Sequence, residues 1–219
     1  GGLGEGFSAF KANKEHPFVP ALSIEKEVRA HETLTLRSFF RRFKHSGRNI
    51  PDEYYRFLRN ELSMEQLYES FPIDYKVAKE EAKKMELGVS PSSHVDELIS
   101  KSLRGSSEWI LLGGPPCQAY SLVGRSRMGG IDPKDHRTTL YMGYLRILAK
   151  HRPTAFVFEN VKGLASSKIK DQNIFQNILE SLSKPAQVLS SANSLQIPSM
   201  TKEVSYSLYG IGSGKEKRK

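Results

Sequence analysis

The chain has 219 residues, a formal net charge of +9 and one cysteine. That length suits one α/β domain with a sizeable core, and a lone cysteine excludes an internal disulfide framework and a Cys-cluster zinc site while fitting a reducing compartment. No apolar run is long enough to span a bilayer as a helix, no basic-then-apolar signal pattern opens the chain, and the positive balance suits a polyanionic partner.

Residues 4–12 read as a glycine-containing loop running into a helix. Residues 18–24 read as a short buried strand, and residues 25–43 as a helix with Val28, Leu34, Leu36 and Phe39 as apolar positions. Residues 37–90 are longer than a strand–helix–strand connection needs; their pattern is helical and charged, punctuated by Pro51 and Pro72, and it predicts a helical insertion. Within the run Arg41-Arg42-Phe43-Lys44-His45-Ser46-Gly47-Arg48, a solvated helix end is favoured over a phosphate contact. After a turn at 90–93, residues 94–103 read as a helix and 109–112 as a strand. The polar stretch 118–137 reads as a mobile loop, and 138–150 as a helix spaced by Leu140, Tyr144, Leu145 and Leu148. A strand around Phe156, a helix over 174–182 and strands at 187–189 and 206–209 complete the chain. His16, His31, His45, His94, His136 and His151 are scattered without metal-ligand spacing, so no metal site is expected.

Two segments carry chemistry. Gly113-Gly114-Pro115-Pro116-Cys117-Gln118-Ala119-Tyr120-Ser121 follows the apolar run Trp109-Ile110-Leu111-Leu112, so the only thiol sits on a proline-stiffened loop at a strand end. Nucleophilic catalysis needs a presented thiol; a Gly-Pro turn around a buried cysteine is the plainer alternative, and the segment alone does not decide between them. His151-Arg152-Pro153-Thr154-Ala155-Phe156-Val157-Phe158-Glu159-Asn160-Val161 repeats the design: a proline turn, an apolar strand, then a polar pair. Parallel strands joined by a helix bring their ends to one sheet edge, where α/β sites form. A thiol and a carboxylate can then converge.

Gly-Pro-Pro-Cys-Gln-Ala-Tyr-Ser resembles the catalytic motif of the DNA (cytosine-5) methyltransferases, and Glu159-Asn160-Val161 resembles their Glu-Asn-Val motif. Asp135-His136-Arg137-Thr138-Thr139-Leu140-Tyr141 is similar to the family's Asp-x-Arg-x-x-Leu segment. Gly1-Gly2-Leu3-Gly4-Glu5-Gly6-Phe7 resembles the tail of its Gly-rich cofactor loop, and Ala21-Leu22-Ser23-Ile24-Glu25 the next strand. The motifs follow the family's order over residues 1 to about 170.

The resemblance implies a Rossmann-like, S-adenosylmethionine-dependent α/β fold. The strand before Gly1 is not visible, nor is a Gln-x-Arg-x-Arg motif, a target-recognition region or a returning cofactor-side motif before Lys219. The expectation is therefore a partial catalytic domain over 1–219, incomplete at both ends, with the insertion at 37–90 and no target-recognition domain. The implied reaction is methyl transfer to carbon 5 of cytosine through a covalent Cys117 adduct, with Glu159 assisting at ring nitrogen 3. A carboxylic acid must keep its proton near neutrality to donate there, which burial favours. S-adenosylmethionine is the implied donor, with Gly1, Gly2 and Leu3 at its methionine end, Glu25 on the ribose hydroxyls, Asp96 on the adenine, and Pro115 and Leu140 packing on it. Double-stranded DNA with a flipped cytosine is the implied partner. Gln118, Ser121, Arg125, Arg127, Arg137 and Asn160 are the candidate contacts to it, though each loop arginine is equally readable as an exposed residue. The resemblance further implies a monomer in a prokaryotic cytoplasm, associated with the nucleoid, in restriction–modification. Two alternatives stay open: the same chemistry on RNA, and a truncated module that only binds nucleic acid.

Overall fold

The computed structural model describes residues 2–114, 136–159, 168–169, 172–191 and 204–210. The chain divides into two compact units, Gly1–Gly113 and Gly114–Lys219. Both mix helices with short strands, so the α/β class holds.

In the first unit, α1 (Gly2–Ala9) leads through a turn closed between Ala12 and Glu15 to β1 (Ser23–Glu25). The strand is shorter than the 18–24 stretch expected. Pro17 and Pro20 supply no backbone donor, and Val19 is 70% exposed rather than buried. Phe18 packs instead edge-on against Phe7, with ring centroids 5.1 Å apart. Next, α2 (Val28–His45) starts at Glu27, whose carboxylate accepts from the Ala30 amide at 2.7 Å. An acid there satisfies an orphan donor and meets the positive end of the helix dipole; the amide bonds hold its carboxyl below the usual range. The helix ends at Ser46, followed by Gly47 in the left-handed region at φ +70, the backbone form that glycine adopts without strain.

Three helices follow. α3 (Asp52–Leu58) carries Asp52 and Glu53 in its first turn, and α4 (Met64–Ser70) opens with a reciprocal capping box between Ser63 and Gln66. α5 (Pro72–Glu81) starts on Pro72, which has no amide to leave unpaired. Phe39, Leu67 and Ala78 are fully buried among Phe43, Tyr54 and Tyr68, and each large apolar side chain withdrawn from water contributes about 1.5–3 kcal/mol. Phe39 meets Phe43, Tyr68 and Phe71 edge-on.

The expected insertion at 37–90 takes in helices and one strand. Its first limit falls inside α2, which runs unbroken through Arg37 because Arg37, Ser38 and Arg41 are engaged by glutamates of α1 and α5. Its second half contains β2 (Ala82–Lys84), which pairs in parallel with β1 in the register Ser23↔Ala82, Ile24↔Lys83, Glu25↔Lys84. Helices α3 and α4 lie between α2 and α5. The unit closes with α6 (Ser92–Leu103), stopped by left-handed Arg104 and Gly105, and β3 (Ile110–Gly113), which touches α1.

In the second unit, α7 (His136–His151) is followed by β4 (Ala155–Phe158), the antiparallel pair β5 (Lys168–Ile169) and β6 (Gln172–Asn173), α8 (Ile174–Ser183) and α9 (Pro185–Ser191). Helix α9 replaces the strand expected at 187–189. Pro185 begins it, and it packs on α7 and α8 with Leu189 fully buried. Tyr141, Leu145 and Leu148 of α7 are also fully buried, and Tyr144 meets Phe156 and Phe158 edge-on. Residues 204–210 form no strand. They are tied down through Tyr206, whose amide donates to the Ser183 carbonyl at 2.9 Å and whose hydroxyl donates to the Pro153 carbonyl at 3.1 Å.

Candidate active site

The described geometry gathers around strand ends. In the second unit, Gly114, three residues before Cys117 in the sequence, lies directly against the backbone of Glu159 just beyond β4. A Cβ built on Gly114 would overlap the Glu159 carbonyl oxygen, so only glycine permits this approach. Gly114 and the backbone of Glu159 therefore lie together. The Glu159 side chain is exposed, not buried.

The cofactor-side candidates lie in the first unit. Gly2 and Leu3 form the first turn of α1, so the segment expected as a loop tail is already helical. A Cβ at Gly2, Gly4 or Gly6 would meet no atom within 4 Å, so open space flanks α1. Glu25 ends β1 half-buried, and one carboxylate oxygen accepts from the Glu27 amide at 2.9 Å. Beside it, the Met85 amide donates to the Glu25 carbonyl at 3.0 Å, and Lys26 reaches Glu86 at 3.4 Å. A pair of parallel strands thus ends in a row of polar groups, where α/β proteins place ligands.

Asp96 is buried beside Val95 in α6, the helix expected over 94–103. Met85 and Glu86, which the sequence reading passed over, hold the strand-end position beside Glu25. Ala82-Lys83-Lys84 carries no apolar alternation to mark a strand, so the only sequence signal was the Leu87-Gly88 turn that follows. Leu140 is half-buried in α7, and Arg137 lies in that helix's first turn. Gly1, Pro115, Cys117, Gln118, Ser121, Arg125, Arg127 and Asn160 lie outside the described residues.

The basic run after residue 40 is a solvated helix end from Lys44 to Arg48, as expected, but Arg41 within it is buried. Arg41 pairs with Glu5 and Glu81, while Arg42 and Arg48 both bind Asp74, at 3.0 and 2.6 Å. Those guanidiniums hold the Asp74 carboxyl below its usual range. Among the described residues no group of three His, Cys, Asp or Glu could hold a metal ion, and no helix is long and apolar enough to cross a membrane.

Residues 91–185 match the C-5 cytosine-specific DNA methylase family. The chain is 36% identical over 198 residues to the Type II methyltransferase M.Bpa9945I of Bacillus paralicheniformis, covering 83% of this chain and 42% of that protein. It is 40% identical over 82 residues to the DNA (cytosine-5-)-methyltransferase M.ApeKI of Aeropyrum pernix, covering 36% of this chain and 17% of that one. Against the Type II methyltransferase M.DdeI of Desulfomicrobium norvegicum it is 38% identical over 69 residues, or 32% and 15% of the two chains. The chain thus spans less than half the length of the curated relatives it matches. No solved structure matches it significantly.

Proposed function

We propose that this chain, whose residues 91–185 belong to the C-5 cytosine-specific DNA methylase family, transfers a methyl group from S-adenosylmethionine to carbon 5 of cytosine in DNA. The observation that supports the reading best is the close approach of Gly114, at the mouth of the Pro-Pro-Cys-Gln loop, to the backbone of Glu159. The printed name of the Aeropyrum relative favours DNA over RNA.

S-adenosylmethionine, when bound, supplies an electrophilic methyl group on a sulfonium. Cytosine carbon 5 is too weak a nucleophile to take it unaided. The Cys117 thiolate forms a bond to carbon 6, and the displaced π pair makes carbon 5 enamine-like. Once carbon 5 carries the methyl group, loss of its proton to a base re-forms the 5,6 double bond and expels the Cys117 thiolate. A free thiol titrates near pH ~8.5, so cationic neighbours such as Arg125 and Arg127 bias Cys117 toward the reactive form. Glu159 hydrogen-bonds ring nitrogen 3 and draws electron density from carbon 6 as the sulfur adds. Its carboxylate is exposed, so an extruded base can reach it. Burial in a duplex hides carbon 6, so the target cytosine flips out. Gln118, Ser121, Arg137 and Asn160 then contact the extruded nucleotide and its phosphates. On the donor side, Gly2 and Leu3 present α1's free amides to the methionine carboxylate. Glu25 accepts from the ribose hydroxyls, and the arrangement of strands around them is Rossmann-like.

The test uses the purified protein, S-adenosylmethionine and duplexes carrying 5-fluorocytosine, which blocks release of the enzyme. A denaturation-resistant protein–DNA adduct is expected, and Cys117→Ser abolishes it. An adduct that persists undiminished in Cys117→Ser would remove the thiol from the mechanism.

A further inference from the structure

The geometry points to Arg41 as a positioning residue that fixes two walls of the proposed donor site relative to each other, a role that rests on the functional reading above. Arg41 lies within α2 with its side chain 8% exposed. One arm of its guanidinium pairs with Glu5 of α1, and the other donates to Glu81 Oε1 at 2.5 Å. Each carboxylate is held again from the same helix. Arg37 donates to Glu5 Oε2 through Nε at 2.9 Å and through a terminal nitrogen at 2.5 Å, and the Ser38 hydroxyl donates to Glu81 Oε2 at 2.6 Å.

What the two carboxylates are attached to gives the network its meaning. Glu5 sits one helical turn beyond Gly2, on the helix whose open flank is proposed to meet the methionine end. Glu81 is the last residue of α5 and immediately precedes β2, which runs in register beside β1 to the Glu25–Lys84 pair. One planar group therefore couples α1 to the strand pair that carries Glu25.

Stability alone does not call for this arrangement. Burying three charges is costly, and apolar residues of similar volume commonly hold helices together as well. Burial indeed pushes the Glu81 carboxyl up, against the pull of Arg41. A guanidinium offers something an apolar contact lacks: a rigid fork that sets the spacing of two carboxylates. The molecule also contains its own control. Arg42 and Arg48 bind Asp74 in the first turn of α5, seven residues before Glu81, or about 10 Å along the helix axis. That cluster joins the same two helices without touching α1 or β2.

The experiment measures S-adenosylmethionine affinity and KM, kcat and melting temperature for the wild-type protein, Arg41→Lys and Asp74→Asn. Lysine keeps the charge but reaches only one carboxylate. Arg41→Lys is expected to raise the dissociation constant and KM for the donor by about tenfold or more, the scale on which small misplacements are felt. Its kcat stays near wild type. Asp74→Asn is expected to lower the melting temperature at least as much while leaving KM unchanged. If Arg41→Lys does not fold, Glu5→Gln, which weakens one arm only, is expected to raise KM in the same direction. Wild-type affinity in Arg41→Lys overturns the role, as does a loss of affinity that simply tracks melting temperature in both variants. A wild-type protein that binds no S-adenosylmethionine overturns the functional reading itself, and this role with it.

Discussion

The layer formed by α2 to α5 and the contact between Gly114 and Glu159 use opposite means to fix their geometry. In the layer, rings meet edge-on at 5.2–6.0 Å around Phe39, and Arg41, Arg42 and Arg48 all end on carboxylates. At Gly114 the contact is backbone against backbone, made possible by a missing side chain, and the nearby carboxylate is exposed. Carbon and paired charge hold the first region; the second leaves a carboxylate at the surface. If the proposed function holds, stability and reactivity rest on different residues, and substitutions should separate them.

The largest effect is expected in the layer. Phe39→Ala should cost about 3–5 kcal/mol of folding stability, read by chemical denaturation, while methyl transfer per folded molecule stays near wild type. An equal loss of specific activity would mean that the two regions are not separate. At the strand end the reverse is expected: Glu159→Gln should slow methyl transfer by about 100-fold, the usual scale for acid–base assistance, with no change in melting temperature. Near-normal turnover would leave Glu159 a bystander.

The smallest effect concerns acidity. His45, in the last turn of α2, stacks on His16 at 4.5 Å between ring centroids. Its pKa is lowered by burial first and by His16 next, with Arg41 and Lys44 adding to the same shift and the Ser8 carbonyl opposing it. The unfolded chain takes up this proton near pH ~6.5, before the folded one does. Stability is then full above that pH and falls as the solution is acidified through it. The drop in melting temperature between neutral and mildly acid buffer should shrink by about a degree or two in His45→Gln. A wild-type profile that is flat there would remove the histidine pair from consideration.

Much of this plan was legible in the sequence where periodicity and capping agree. Helices α6, α7 and α8 fall within two residues of the stretches expected at 94–103, 138–150 and 174–182. The failures share a cause: tertiary partners overrode local pattern. Ala82-Lys83-Lys84 is a strand because β1 lies beside it, and 187–189 is helical because Leu189 is buried among the helices it packs on. Asp96 lies in the helix expected over 94–103, while Met85 and Glu86, unmarked by any pattern, stand at the strand end beside Glu25. At the site, the motifs named Glu159 and its neighbour Gly114, but not the contact between them, which only backbone geometry reveals.

Tyr206 has one more consequence. Its ring lies edge-on to Phe156 at 5.1 Å, its hydroxyl reaches the Pro153 carbonyl, and its backbone exchanges two hydrogen bonds with Ser183. Residues 204–210 thus act as a built-in ligand for the turn that launches β4 toward Glu159. Continuity of the chain alone gives that ligand its high effective concentration. A single nick between residues 191 and 204 would turn a concentration-independent contact into an ordinary binding equilibrium. A synthetic peptide spanning 204–210 would then compete for, or restore, the same seat.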